Sequence, residues 1–128
     1  MAPLCHDQGV ALIPWSPLAR GKLARAPEAK TPRTETDLFG SRLYASMEEA
    51  DARVQVALDQ VAKGRKLPHA QVALAWLNQK RGVTAPIVGA TKMHHLEDAV
   101  ASLAVKLTPD EVRVLEGSYV PHPVAGFG

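Results

Sequence analysis

The stretch Gly9-Val-Ala-Leu-Ile-Pro-Trp-Ser-Pro-Leu-Ala-Arg-Gly21 decides how this chain is read. Its first half is almost wholly apolar without helical spacing. Gly9 precedes the run and Pro14 interrupts it, so residues 10–15 predict a short buried strand ending near Trp15. A strand buried on both faces usually belongs to a parallel sheet. The second half changes character within a few residues. The Ser16 hydroxyl, the backbone of residues 17–21 and the Arg20 guanidinium converge on one small region, where phosphate oxygens could accept several hydrogen bonds.

Outward from that stretch the chain alternates. Residues 16–47 are rich in Pro, Gly, Arg and Thr, with no sustained periodicity beyond a helical turn expected at residues 37–44. A loop of this length in a compact domain is usually functional or disordered. Ala50, Val54, Ala57, Leu58 and Val61 then recur at helical spacing, with Gly64 expected as the C-cap. Pro68 opens a second helix whose stripe is Val72, Ala73, Trp76 and Leu77, closed by Gly82. Ala85-Pro-Ile-Val-Gly89 reads as a second short strand. From Lys92 onward Leu96, Ala99, Val100 and Leu103 share a helical face. Thr108-Pro-Asp-Glu111 is a capping box with proline at the first helical position, followed by Val112 and Leu115 on one face; residues 119–128 form a Pro/Gly-rich tail. The order strand, long loop, helix, helix, strand, helix, helix predicts an α/β protein with parallel strands. Two strands alone leave faces and edges open to water, so the chain is expected to be part of something larger.

Composition narrows the function. A chain of 128 residues, 46% apolar and 22% charged with a formal charge of +2, reads as one soluble domain over residues 1–128. It carries no run of about eighteen apolar residues, so no membrane partner is expected. The start lacks the basic region of a secretory signal, which makes a cytoplasmic location the expectation. Cys5 is the only cysteine and reads as a packed thiol. Arg20, Lys22 and Arg25 beside the opening loop suit a phosphate-bearing small molecule, whereas Lys63, Arg65 and Lys66 suit the negative end of a helix. Nucleic acid is not an expected partner, because the helix pair over residues 50–81 lacks a tight turn and concentrates no charge on its second helix.

The second strand also ends in a loop suited to an anion. Gly89 allows close approach, Thr91 offers a hydroxyl, Lys92 a charge, and the following helix a partial positive charge. Taken singly each loop has a structural alternative: Pro14 to Pro17 as a rigid turn around a core tryptophan, and Gly89 to Lys92 as a helix start capped by Thr91. His94 and His95 read as a surface helix start rather than a metal site, since neighbours on a helix point in different directions.

Taken together, residues 9–23, the run Pro86-Ile-Val-Gly-Ala-Thr-Lys92, and His95-Leu-Glu-Asp98 behind it resemble the aldo-keto reductase family in order and separation, and residues 119–127 resemble the end of some bacterial members. The resemblance covers essentially the whole chain and matches the C-terminal part of that family. It implies a (β/α)₈ barrel, a fold of roughly 250 residues, of which this chain would supply the seventh and eighth strands with their helices, about six strands being missing. It implies NADP(H) as cofactor. Trp15 would stack on the nicotinamide, and Ser16, Pro17, Leu18, Ala19, Arg20 and Gly21 would wrap the pyrophosphate. Arg33 would fold over the cofactor from the long loop. Gly89, Thr91 and Lys92 would clamp the adenosine 2′-phosphate, with His95 and Asp98 at the adenosine. The sequence departs from the family at Arg25 and Ala26, where a glycine and then a basic residue are common, and at Ala99, where an amide is common.

The family reduces carbonyls with a tyrosine acid, a lysine, an aspartate and a histidine, and the resemblance puts all four ahead of Met1. No catalytic or metal-binding residue is therefore assigned here, Tyr44 and Tyr119 being read as packing residues. The expectation is an NADP(H)-clamping C-terminal segment that is inactive alone, takes a carbonyl substrate only within a complete barrel, and self-associates through open strand edges. The alternative is a non-catalytic nucleotide-binding or interaction module that completes a barrel with another chain.

Overall fold

The structure, a computed structural model, describes residues 1–26 and 48–121. The helical turn expected at residues 37–44 lies outside them. The chain opens with a short helix that the sequence reading missed, α1 (Ala2–Asp7), with Pro3 in its first turn. Six residues are too few to display a helical repeat. Gly9, at φ +65°, ends α1 in a Schellman turn in which Val10 N donates to Cys5 O (2.8 Å) and Gly9 N to His6 O (3.4 Å). A position read as strand punctuation is thus a helix stop.

Residues beyond it run extended and pair in parallel with the segment before Gly89. The pairing consists of two isolated bridges, Leu12 with Val83 and Trp15 with Ile87. Thr84 N donates to Leu12 O (2.8 Å) and Ile87 N to Pro14 O (2.9 Å). Pro14 and Pro86 each lack an N–H, which keeps the ladder from extending. The parallel sense is as expected. The burial is not: Val10, Ile13 and Ile87 are more than half exposed, since no described element covers those faces.

The core is helical. It is built by α2 (Glu48–Arg65), α3 (His69–Asn78), α4 (Met93–Ala101) and α5 (Pro109–Gly117). α3 packs against α2 on one side and against α4 and the 3₁₀ turn Ser102–Ala104 on the other, while α5 packs on α2. Leu58, Val61 and Ala62 of α2 meet Val72, Ala73 and Ala75 of α3 and Leu107 and Leu115 near α5 in one cluster. The helical spacing seen in the sequence selects these contacts.

Two helix ends differ from expectation. α2 runs past Gly64, and Lys66 takes the left-handed position at φ +54°, with Leu67 N bonding Ala62 O (3.0 Å) and Lys66 N bonding Lys63 O (3.1 Å). Pro68 explains this, because the residue before proline is pushed out of the helical region and fixes the stop just ahead of it. α4 buries none of its own residues: Leu96 and Val100 stay exposed, as does Leu103 in the turn that follows, while the side facing α3 carries Asp98, which accepts from Gln71 Nε2 (2.8 Å), followed by the buried Ser102. The capping box at α5 forms as read, with Glu111 N donating to Thr108 Oγ1 (3.3 Å) and Thr108 N to Glu111 Oε2 (2.7 Å). Glu111 also grips Arg65 of α2 in a two-point ion pair, Nε to Oε1 and Nη2 to Oε2, both 2.5 Å. That guanidinium, then the Thr108 amide, hold the Glu111 carboxyl at a pKa of about 2 against burial that opposes them. No helix among the described residues is long and apolar enough to cross a membrane.

Candidate functional site

The first extended segment ends at Trp15 and turns sharply. Ser16, Ala19 and Arg20 adopt φ of +51°, +47° and +55°, and Gly21 +96°. Three non-glycine residues in the left-handed region cost about 1 kcal/mol or more each. The turn persists because its surroundings over-determine it. Ala19 N bonds Ser16 O (2.9 Å), Gly21 N bonds Leu18 O (2.9 Å), and Arg20 N donates to Ser16 Oγ (3.3 Å). Leu18 and Leu23, on either side of the turn, pack against the helical core. Lys22 Nζ reaches Asp51 Oδ2 (3.2 Å) and Gln55 Nε2 donates to Lys22 O (3.0 Å), tying the loop to α2. Strain held this way is characteristic of ligand sites and switches.

The cations that the sequence grouped together separate here. Lys22 is engaged by Asp51 and anchors the loop. Arg25 folds back so that its Nη1 lies 3.4 Å from where a Cβ on Gly21 would be. Asp51 and Gln55, thirty or so residues away with no motif to mark them, were not foreseen as supports of this loop. Trp15 is 67% exposed, which overturns the alternative of a core tryptophan and leaves its ring free for stacking.

The second loop is more open. Around the Cβ position of Gly89 there is no atom within 4 Å, so a ligand could approach its backbone. Lys92, not Thr91, is the N-cap of α4, in extended geometry and without a side-chain cap, so the first amides of α4 keep donors to offer. Thr91 lies one residue further out and its Oγ1 is 3.5 Å from His95 Nδ1. The rings of His94 and His95 meet edge to face at 4.4 Å. Among the described residues no group of three or more His, Cys, Asp or Glu converges as a metal site would. Asp98, expected at an adenosine, already accepts from Gln71.

The bridge between Trp15 and Ile87 brings the two loops together. Because the segments run parallel, the turn at Ser16 and the turn at Gly89 leave from the same edge, side by side. Trp15 is thereby paired with Ile87, two residues ahead of Gly89. Arg33 and Tyr44 lie outside the described residues.

Residues 1–119 match the Aldo/keto reductase family. The chain belongs to this family. It is 39% identical over 128 residues to an aldo-keto reductase of Fusarium vanettenii, covering 98% of this chain and 34% of that protein. It is 42% identical over 126 residues to the versiconal hemiacetal acetate reductase of Aspergillus parasiticus, covering 97% and 36%. The fold of the glycerol dehydrogenase of Gluconobacter oxydans superposes over the whole chain and 40% of that structure, with a TM-score of 0.70 and 17% identity. A thermostable aldo-keto reductase solved with the inhibitor epalrestat superposes over 91% of this chain and 32% of its own, at a TM-score of 0.60 and 23% identity. This aldo-keto reductase chain spans about a third of the length of the curated relatives it matches, and it shares its fold with part of a barrel.

Proposed function

We propose that this chain is the C-terminal, NADP(H)-clamping part of an aldo-keto reductase, corresponding to the seventh and eighth barrel strands and their helices. The parallel Trp15–Ile87 bridge supports this reading, because the two loops suited to an anion follow paired parallel segments, and barrel enzymes keep their ligands at the C-terminal ends of such strands. The residues present fit a dinucleotide. An exposed Trp15 ring would stack on the nicotinamide, and the strained turn of residues 16–21 would present amides, the Ser16 hydroxyl and Arg20 to the pyrophosphate. The open Gly89 backbone, Thr91, Lys92 and the uncapped start of α4 would hold the adenosine 2′-phosphate. His95 and Asp98 would face the adenosine, and Arg33 would cover the cofactor from the long loop. NADPH supplies the hydride for carbonyl reduction when bound. This chain's part is to hold and orient it, the acid and its partners belonging to strands outside this segment, so the segment reduces no carbonyl alone.

A barrel reassembled around this segment should bind NADPH more tightly than NADH, and Lys92→Ala should abolish the difference, losing about tenfold on NADPH alone. An unchanged preference would remove Lys92 from the clamp. A second reading, a module that completes a barrel with another chain without catalysis, is favoured by the exposed Val10, Ile13 and Ile87. NADPH-dependent aldehyde reduction by the purified chain alone would contradict both.

A further inference from the structure

Lys22, the residue after Gly21, is held at two points by the first turns of α2. Its Nζ lies 3.2 Å from Asp51 Oδ2, and its carbonyl accepts from Gln55 Nε2 at 3.0 Å. Asp51 and Gln55 are one helical turn apart, so both side chains leave α2 on the same face. The peptide that joins Lys22 to Leu23 is thereby fixed at both of its polar groups. Gln55 takes its C=O, while its N–H donates to Leu18 O (3.2 Å) and closes the strained turn. The Lys22 amide donates to Ala19 O (3.2 Å), inside the same turn. Releasing Lys22 from α2 would let the closing peptide rotate, and the left-handed Ser16, Ala19 and Arg20 would have less to hold them against their ordinary preference. An anion site made of backbone donors loses affinity when those donors must first be ordered.

We infer that Gln55 and Asp51 are positioning residues for the first loop: acting through Lys22 and without touching a ligand, they keep residues 16–21 in the shape that binds the pyrophosphate of a dinucleotide. This rests on the reading that the loop holds pyrophosphate, and it adds that the affinity of the loop is set in part from α2, by an amide and a carboxylate remote from it in sequence. Neither residue moves a proton or makes a bond.

The test uses the full 128-residue chain with the variants Gln55→Leu, Asp51→Asn and Gln60→Leu, the last making the same exchange at an exposed site of α2. Inorganic pyrophosphate and NADP⁺ are titrated separately, with binding read from phosphorus NMR at a temperature where circular dichroism shows each variant fully folded. Amide hydrogen exchange is followed at Leu23 and in the core of α2 and α3. Gln55→Leu is expected to weaken both ligands about fivefold and Asp51→Asn about twofold, with Gln60→Leu unchanged. The Leu23 amide should lose protection in Gln55→Leu while those of Leu58 and Leu74 keep theirs, a local change that a general loss of stability does not produce. If the wild type binds both ligands and Gln55→Leu matches Gln60→Leu, the role of Gln55 is overturned and the pyrophosphate loop stands. Weaker binding without the loss of Leu23 protection would mean that Gln55 acts by another route, and the inference fails. Should Gln55→Leu not fold, Asp51→Asn decides the question, an unchanged affinity overturning the inference. A wild type that binds neither ligand overturns the loop's reading and the positioning with it.

Discussion

Lys66 stands in the left-handed position that ends α2, a conformation glycine adopts freely and lysine adopts at a cost. Lys66→Gly should therefore stabilise the chain by about 0.5–1 kcal/mol in urea unfolding; a loss of stability would mean that the Lys66 side chain contributes more than its backbone costs. Gly21 is the opposite case. A methyl there would be held at φ +96°, while its contact with the Arg25 guanidinium would be an ordinary one, so Gly21→Ala should destabilise by about 1 kcal/mol or more through the backbone alone, and an unchanged midpoint would show that the loop relaxes without strain. At this scale the sequence was legible where chemistry is local. Thr108 and Glu111 cap α5 as their spacing requires. Gly64 misled because a helix stops where its hydrogen bonds run out, here dictated by Pro68. The structural alternative with Thr91 as the cap of α4 fails because the cap lies one residue later, at Lys92.

Among the elements, the bond between α2 and α5 has a pH signature. The Glu111 carboxyl sits at about 2 in the folded chain, below its ordinary 4.5, so it stabilises the fold above pH ~4.5 and that contribution disappears as pH falls from there towards 2. Asp59, lowered chiefly by its hydrogen bond from Lys63, acts in the same direction. Thermal melts from pH 7 down to 2 should show a falling midpoint, and Glu111→Gln should flatten that fall; equal acid limbs in the two proteins would remove Glu111 from the account. Within α3, Leu74 is 2% exposed, and Leu74→Ala should cost about 2–5 kcal/mol. The helices were legible because a 3.6-residue period reports a buried stripe. The burial of residues 10–15 and of the Leu96 face was not, because burial depends on a covering layer that residues within an element cannot specify.

For the whole molecule, Val10, Ile13 and Ile87 on the extended segments, Leu96 and Val100 on α4 and Leu103 in the turn after it all stay exposed, and apolar surface of this kind marks a contact site where it is contiguous. Self-association through the open extended edge is expected in sedimentation, with Ile13→Lys shifting the chain towards monomer; a wild type that stays monomeric at high concentration would contradict this. The family was legible from two loops in the right order and the parallel sense of the segments before them from the alternation of elements, whereas the register that pairs Trp15 with Ile87 is encoded by no local pattern. The central claim is that those two loops hold a single dinucleotide, and the two tryptophans allow it to be read directly. With Trp76→Phe leaving Trp15 as the only indole, titration of NADP⁺ into the chain should quench Trp15 emission saturably, and both Arg20→Ala and Lys92→Ala should shift the midpoint upward. Emission that ignores NADP⁺, or responds to Arg20→Ala but not to Lys92→Ala, would contradict it.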